Sequence, residues 1–105
     1  MDSLPRNEFI NVYVRNLREC AEVCQKCTSS NSNSNCKYGG LYREEDCPNG
    51  KKTCYRMSYT LNGEKVYQRG CNNDNFCNSQ RQRSDIQVLQ CYQCTEYFCN
   101  TGTLI

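Results

Sequence analysis

The reactive side chains of this chain are its cysteines, eleven among 105 residues. They stand at Cys20, Cys24, Cys27, Cys36, Cys47, Cys54, Cys71, Cys77, Cys91, Cys94 and Cys99. Three chemistries use such a set: a thiolate-bound metal, redox catalysis and disulfide cross-linking. Cys24-x-x-Cys27 and Cys91-x-x-Cys94 have the ligand spacing of a structural zinc site. Zinc would leave the other seven cysteines unexplained, and the chain has no histidine to share the ligation. Redox catalysis through C-x-x-C asks for a thioredoxin-like βαβ setting, which the pattern lacks. Cross-linking accounts for ten of the eleven, at a density above the roughly 8–10% that marks a disulfide scaffold. The absence of histidine also removes the usual general base for a serine or cysteine nucleophile. The reading therefore assigns no catalytic residue, no metal ligand and no cofactor, and expects a protein that is not an enzyme.

The elements that position these sulfurs must be held by little else. Only 37% of the residues are hydrophobic and tryptophan is absent. A chain this short buries a modest share of its surface, so cross-links have to replace missing core. Each bridge contributes about 2–4 kcal/mol, chiefly by restricting the unfolded chain. Disulfides persist in oxidising compartments, which points to an extracellular location, secreted or cell-surface. Thirteen basic and eleven acidic residues are interleaved, for a net charge of +2. Such a balance gives no footprint for nucleic acid, and none is expected as a partner. The start, Met1 to Arg6, carries no apolar targeting segment, and Phe9 to Val14 is too short to span a bilayer. Membrane attachment would have to run through a segment not in this chain. No N-x-[ST] sequon is present.

Residues 1–19 hold no cysteine and read as an N-terminal extension. Ile10, Tyr13, Leu17, Cys20, Cys24 and Cys27 recur at helical spacing, whereas Ile10, Val12 and Val14 alternate as in a strand, and both readings stay open. Thr28 to Asn35 is a polar loop. Glu44-Glu45-Asp46 and Lys51-Lys52 read as solvated loop charges. Between Cys54 and Cys71, Tyr55 to Thr60 alternates large apolar with polar residues. Asn62-Gly63 then offers a tight turn, and Lys65 to Arg69 returns the chain, which predicts a β-hairpin. Residues 78–90 read as a loop, with Arg81 and Arg83, leading into a strand.

From Cys24 onward, ten cysteines, an opening C-x-x-C, a hairpin closed by Gly70-Cys71 and a terminal Cys94-x4-Cys99-Asn100 resemble the LU three-finger family. That family includes lymphocyte antigens, the urokinase receptor, the complement inhibitor protectin and the snake neurotoxins. The resemblance covers residues 24–100. It implies a small all-β, disulfide-rich three-finger fold over residues 20–100, with residues 1–19 as an extension and 101–105 as a tail. It also implies the pairs Cys24–Cys54, Cys27–Cys36, Cys47–Cys71, Cys77–Cys91 and Cys94–Cys99. Asn100 would match the family's asparagine that ties the C-terminus to the bridge-rich base. The family places its eighth and ninth cysteines side by side, whereas Tyr92 and Gln93 separate Cys91 from Cys94 here. Cys20 is left over: an inert thiol, an intermolecular bridge making a covalent dimer, and a pairing that displaces one of the ten are all open to it.

The resemblance implies an extracellular recognition module that binds a protein partner through its finger loops. Tyr55, Arg56, Met57, Tyr59, Tyr67 and Arg69 are the candidate partner-binding residues, since tyrosine and arginine dominate binding hot spots; the competing reading is that these rings cover the hairpin. Two other readings stand beside it. The span from Cys54-Tyr55 to Gly70-Cys71 and the closing C-x4-C-N also resemble the ectodomain of a receptor kinase for transforming-growth-factor-like ligands, which generally carries further cysteines missing here. The alternative of another class is an intracellular zinc-stabilised adaptor.

Overall fold

A computed structural model describes residues 23–40, 44–47 and 53–105. The N-terminal extension, Cys20 and Lys51-Lys52 lie outside these. The longest element is the expected hairpin. Strand β4, Thr53–Leu61, turns at Asn62-Gly63 and returns as β5, Glu64–Asn72. Both turn residues have positive φ, 53° and 81°, the geometry whose twist suits a two-residue hairpin loop. The turn sets Leu61 opposite Glu64, and every later pair follows, to Thr53 opposite Asn72.

Before the hairpin come β1, Val23–Gln25, β2, Cys27–Ser29, a short helix α1, Asn35–Tyr38, and β3, Glu44–Asp46. After it come α2, Phe76–Arg81, and β6, Gln87–Cys94. The main sheet is antiparallel, in the order β2-β5-β4-β6, and β1 pairs with β3 in a second, two-stranded sheet. The chain is thus small and mostly β, with two short helices where an all-β fold is expected. Four sequence readings change with it. Cys24 and Cys27 sit in strands, so the helical spacing does not continue through them; pairing with β3 and β5 decides their conformation. Glu44–Asp46 is a strand and not a loop, because its backbone pairs with β1. Asn35, read as the end of a polar loop, opens α1, whose N-cap Ser34 accepts from the Lys37 amide. Residues 78–81 belong to α2, whose Phe76 packs its ring on Tyr55.

Five disulfides join Cys24 to Cys54, Cys27 to Cys36, Cys47 to Cys71, Cys77 to Cys91 and Cys94 to Cys99, the pairs that the resemblance implies. So many bridges call for an oxidising environment. The core is correspondingly divided. One cluster is Cys24, Cys54 and Cys71, a second is Tyr55, Met57, Phe76 and Cys77, and a third is Cys36, Tyr67 and Leu104. Each contains bridge sulfur, so the cross-links fill apolar volume as well as restrict the chain.

Two polar side chains bind these parts together. The Asn100 amide is fully buried and acts as a missing strand would. Its Oδ1 accepts from the Gln25 amide at 2.9 Å, and its Nδ2 donates to the carbonyls of Gln25 at 3.0 Å and Tyr55 at 2.8 Å. It therefore couples β1 to β4. Arg69, 1% exposed, donates to four carbonyls: Cys36 and Lys37 of α1, and Asn100 and Gly102 of the C-terminal segment. This segment is not a loose tail. Leu104 is fully buried and donates its amide to the Lys37 carbonyl at 2.8 Å, so residues 101–105 are part of the packed structure. The approach is close enough to require glycine at Gly39, where a Cβ would stand 2.8 Å from the Gly102 amide nitrogen and φ is +82°.

Asn100→Ala should remove the three buried hydrogen bonds of this side chain, at about 0.5–1.5 kcal/mol each. Denaturant unfolding of the oxidised variant should show a midpoint well below wild type. An unchanged midpoint would mean that the bridges alone hold β1 on β4.

Candidate interaction surface

Strand residues alternate between the two faces of the sheet. The β4–β5 register places Tyr55, Met57 and Tyr59 on one face with Val66 and Gln68. α2 covers this face: the Phe76 ring stacks on Tyr55 with centroids 3.9 Å apart, and Cys77, Val88 and Cys91 pack around Met57. Gln68 bridges the rings, donating to the Tyr55 hydroxyl at 2.7 Å and accepting from the Tyr59 hydroxyl at 3.0 Å. The stripe expected to meet a partner is therefore core, apart from half-buried Tyr59.

Tyr67 and Arg69 leave the candidate set for a different reason. Tyr67 lies opposite Ser58 and Arg69 opposite Arg56, which puts them on the second face, where both are buried under α1 and the C-terminal segment. Of the six candidates, Tyr55, Met57, Tyr67 and Arg69 are internal. Arg56 and Tyr59 keep partial exposure, on opposite faces.

On that second face Arg56 donates to the Thr101 carbonyl and sits 4.2 Å from the ring centroid of Tyr92, which faces it from β6. Tyr92 is 44% exposed and Tyr38, at the end of α1, is 51% exposed. The Lys37 ammonium lies 5.3 Å from the Tyr38 ring and 5.9 Å from the Tyr67 ring. Tyr38, Lys37 and Tyr92 are the surface residues that sequence reasoning missed. A signal for Tyr92 existed, because it is one of the two residues that part Cys91 from Cys94.

The surface is cationic. Burial, and then the neighbouring Arg56 charge, pull the Arg69 guanidinium down from its ordinary value to about 10, so it stays charged at neutral pH. The third projecting segment differs. Arg83 makes a two-pronged ion pair with Asp85, at 2.9 and 2.6 Å, and Arg81 donates to the Cys91 carbonyl. The Arg83 charge is thus compensated within the segment, whereas Arg81 is bonded to a carbonyl alone.

The sulfurs offer no thiolate chemistry among the described residues. Those of Cys24, Cys47 and Cys71 lie within 4.8 Å of one another, but they belong to two bridges. The C-x-x-C pairs do not converge on one site as thiolates either, since their four sulfurs enter four different disulfides. Among the described residues, no helix is long and apolar enough to cross a membrane. Comparison with family models, with curated proteins and with solved structures finds no match.

The hydrogen bond from Arg83 holds the Asp85 carboxyl below its ordinary 3.8. Carbon-detected NMR should place its midpoint below that value at low salt. Replacement Arg83→Gln, or high salt, should move it back up. A depressed carboxyl stabilises the fold above its unfolded pKa and loses that contribution as pH falls through the folded one. The pair is exposed to solvent, so that contribution is small and Arg83→Gln should lower thermal stability only slightly across that window. A midpoint unmoved by the substitution would refute the pairing.

Proposed function

We propose that the chain is an extracellular, non-enzymatic recognition module of three-finger type, secreted or held at a cell surface, that binds a protein partner. The observation that carries this reading is the gathering of Cys24–Cys54, Cys47–Cys71 and Cys94–Cys99 into one base, where Cys47, Cys94 and Cys99 pack against Cys24, Cys54 and Cys71. Three segments leave it: the polar loop and α1 closed by Cys27–Cys36, the long hairpin, and the α2–β6 span closed by Cys77–Cys91. The Asn100 tie between the C-terminus and this base also supports the reading. Cross-links that hold projecting segments in one conformation lower the entropy lost on binding, which suits recognition more than catalysis. The binding surface is placed on the face of Arg56 and Tyr92 and not on the Tyr55–Tyr59 stripe. Aromatic and arginine side chains that remain accessible are the usual anchors of an interface.

The oxidised protein, immobilised through an added C-terminal tag, should retain a protein from photo-crosslinked, surface-exposed membranes or culture medium. Tyr92→Ala should weaken that retention by about tenfold or more, whereas Asp85→Asn should leave it unchanged. Retention that survives full reduction and unfolding, or that Tyr92→Ala does not affect, would overturn the proposal.

A further inference from the structure

Charge in the main sheet is sorted by face. Its strands carry three basic residues, Arg56, Lys65 and Arg69. Arg56 lies opposite Arg69 and Lys65 opposite Thr60, so all three project to the same side. The other face has a single charged strand residue, Glu64. α1 adds Lys37 to the basic face, its ammonium 5.9 Å from the Tyr67 ring and hence over the Ser58–Tyr67 pair. The cations therefore occupy three successive levels along the hairpin: Arg56 with Arg69, then Lys37, then Lys65. Levels two residues apart are about 7 Å apart.

No side-chain carboxylate of the described residues is placed against them on this face. Among the described residues Arg56, Lys37 and Lys65 have no carboxylate partner, the Arg83–Asp85 pair lying elsewhere. Arg69 is satisfied by carbonyl oxygens alone, which leaves its full charge uncompensated.

Resting on the recognition reading above, we propose that this face docks an extended acidic segment of the protein partner, with carboxylates at alternate positions. Alternate side chains of an extended segment project to one side about 7 Å apart, the same repeat as the three cationic levels. Tyr92 and Tyr38, about half exposed, flank the row and give the segment apolar contact that a uniformly charged polysaccharide does not need. Like-signed charges left unpaired along a surface speed and direct the approach of an oppositely charged partner.

The test uses the oxidised full chain and a fluorescein-labelled peptide of alternating Glu and Thr, read by fluorescence anisotropy. Two controls carry equal charge: a block isomer with its glutamates contiguous, and a heparin-derived oligosaccharide. The alternating peptide should bind about fivefold or more tightly than the block isomer. The double variant Lys37→Glu, Lys65→Glu should weaken it by about tenfold or more, with an unchanged circular dichroism spectrum. Equal binding of the block isomer, tighter binding of the oligosaccharide, or full affinity in the double variant would overturn the proposal. A captured protein partner whose affinity the double variant leaves intact would overturn it too, while leaving the recognition reading in place.

Discussion

A guanidinium with no carboxylate beside it holds the two layers of this protein together. Arg69 leaves the middle of the sheet and meets carbonyls from α1 and from the C-terminal segment, two stretches that Leu104 also joins through the Lys37 carbonyl. The last carbonyls of a helix have no partner within it, and a four-residue helix has little else. Arginine suits the position because its rigid fork reaches several acceptors at once; lysine would present a point charge. Desolvation opposes the arrangement, which is why the Arg69 pKa falls, and the carbonyl bonds offset that cost. The consequence reaches the surface: a cation neutralised by dipoles and not by a carboxylate leaves its face positive.

Around that interaction the bridges replace a conventional core. Each of the three apolar clusters is a few side chains wide and includes bridge sulfur. Clusters this small would not order a chain of this length alone, since conformational entropy grows with every residue fixed. Cross-links spanning 30, 24 and 14 residues remove part of that entropy from the unfolded state. Stability therefore sits at the base, and side chains farther along the hairpin are free to serve as surface.

How far the sequence carried depends on which interactions are local. The hairpin is legible because Asn62-Gly63 specifies its own turn. That same turn contains the register: with residue 61 opposite 64, Tyr67 must face Ser58 and Arg69 must face Arg56. Counting outward from the turn would have separated Tyr67 and Arg69 from Tyr55, Met57 and Tyr59. The burial of that stripe was less accessible, since it depends on Phe76 arriving from α2, and Asn75 offers no side-chain cap to announce the helix. Helix α1 lies in a polar run whose only buried member is Cys36. The order of residues 101–105 depends on partners far along the chain, the Arg69 guanidinium and the Tyr67 ring on which Leu104 packs. None of these signals is periodic, so no pattern in the sequence exposes them.

These features meet on one surface, where Arg56, Tyr92, Lys37 and Tyr38 surround the buried Arg69. If Arg69 fastens α1 and the C-terminal segment onto the sheet, amide hydrogen exchange on Arg69→Met will show it. The substitution keeps the apolar stem and removes the donors. The Leu104 and Gly39 amides, which donate to the carbonyls of Lys37 and Asn35, should lose protection by about a hundredfold relative to wild type. The paired amides of the hairpin should keep theirs. Unchanged protection at Leu104 and Gly39 would mean that Arg69 does not fasten them.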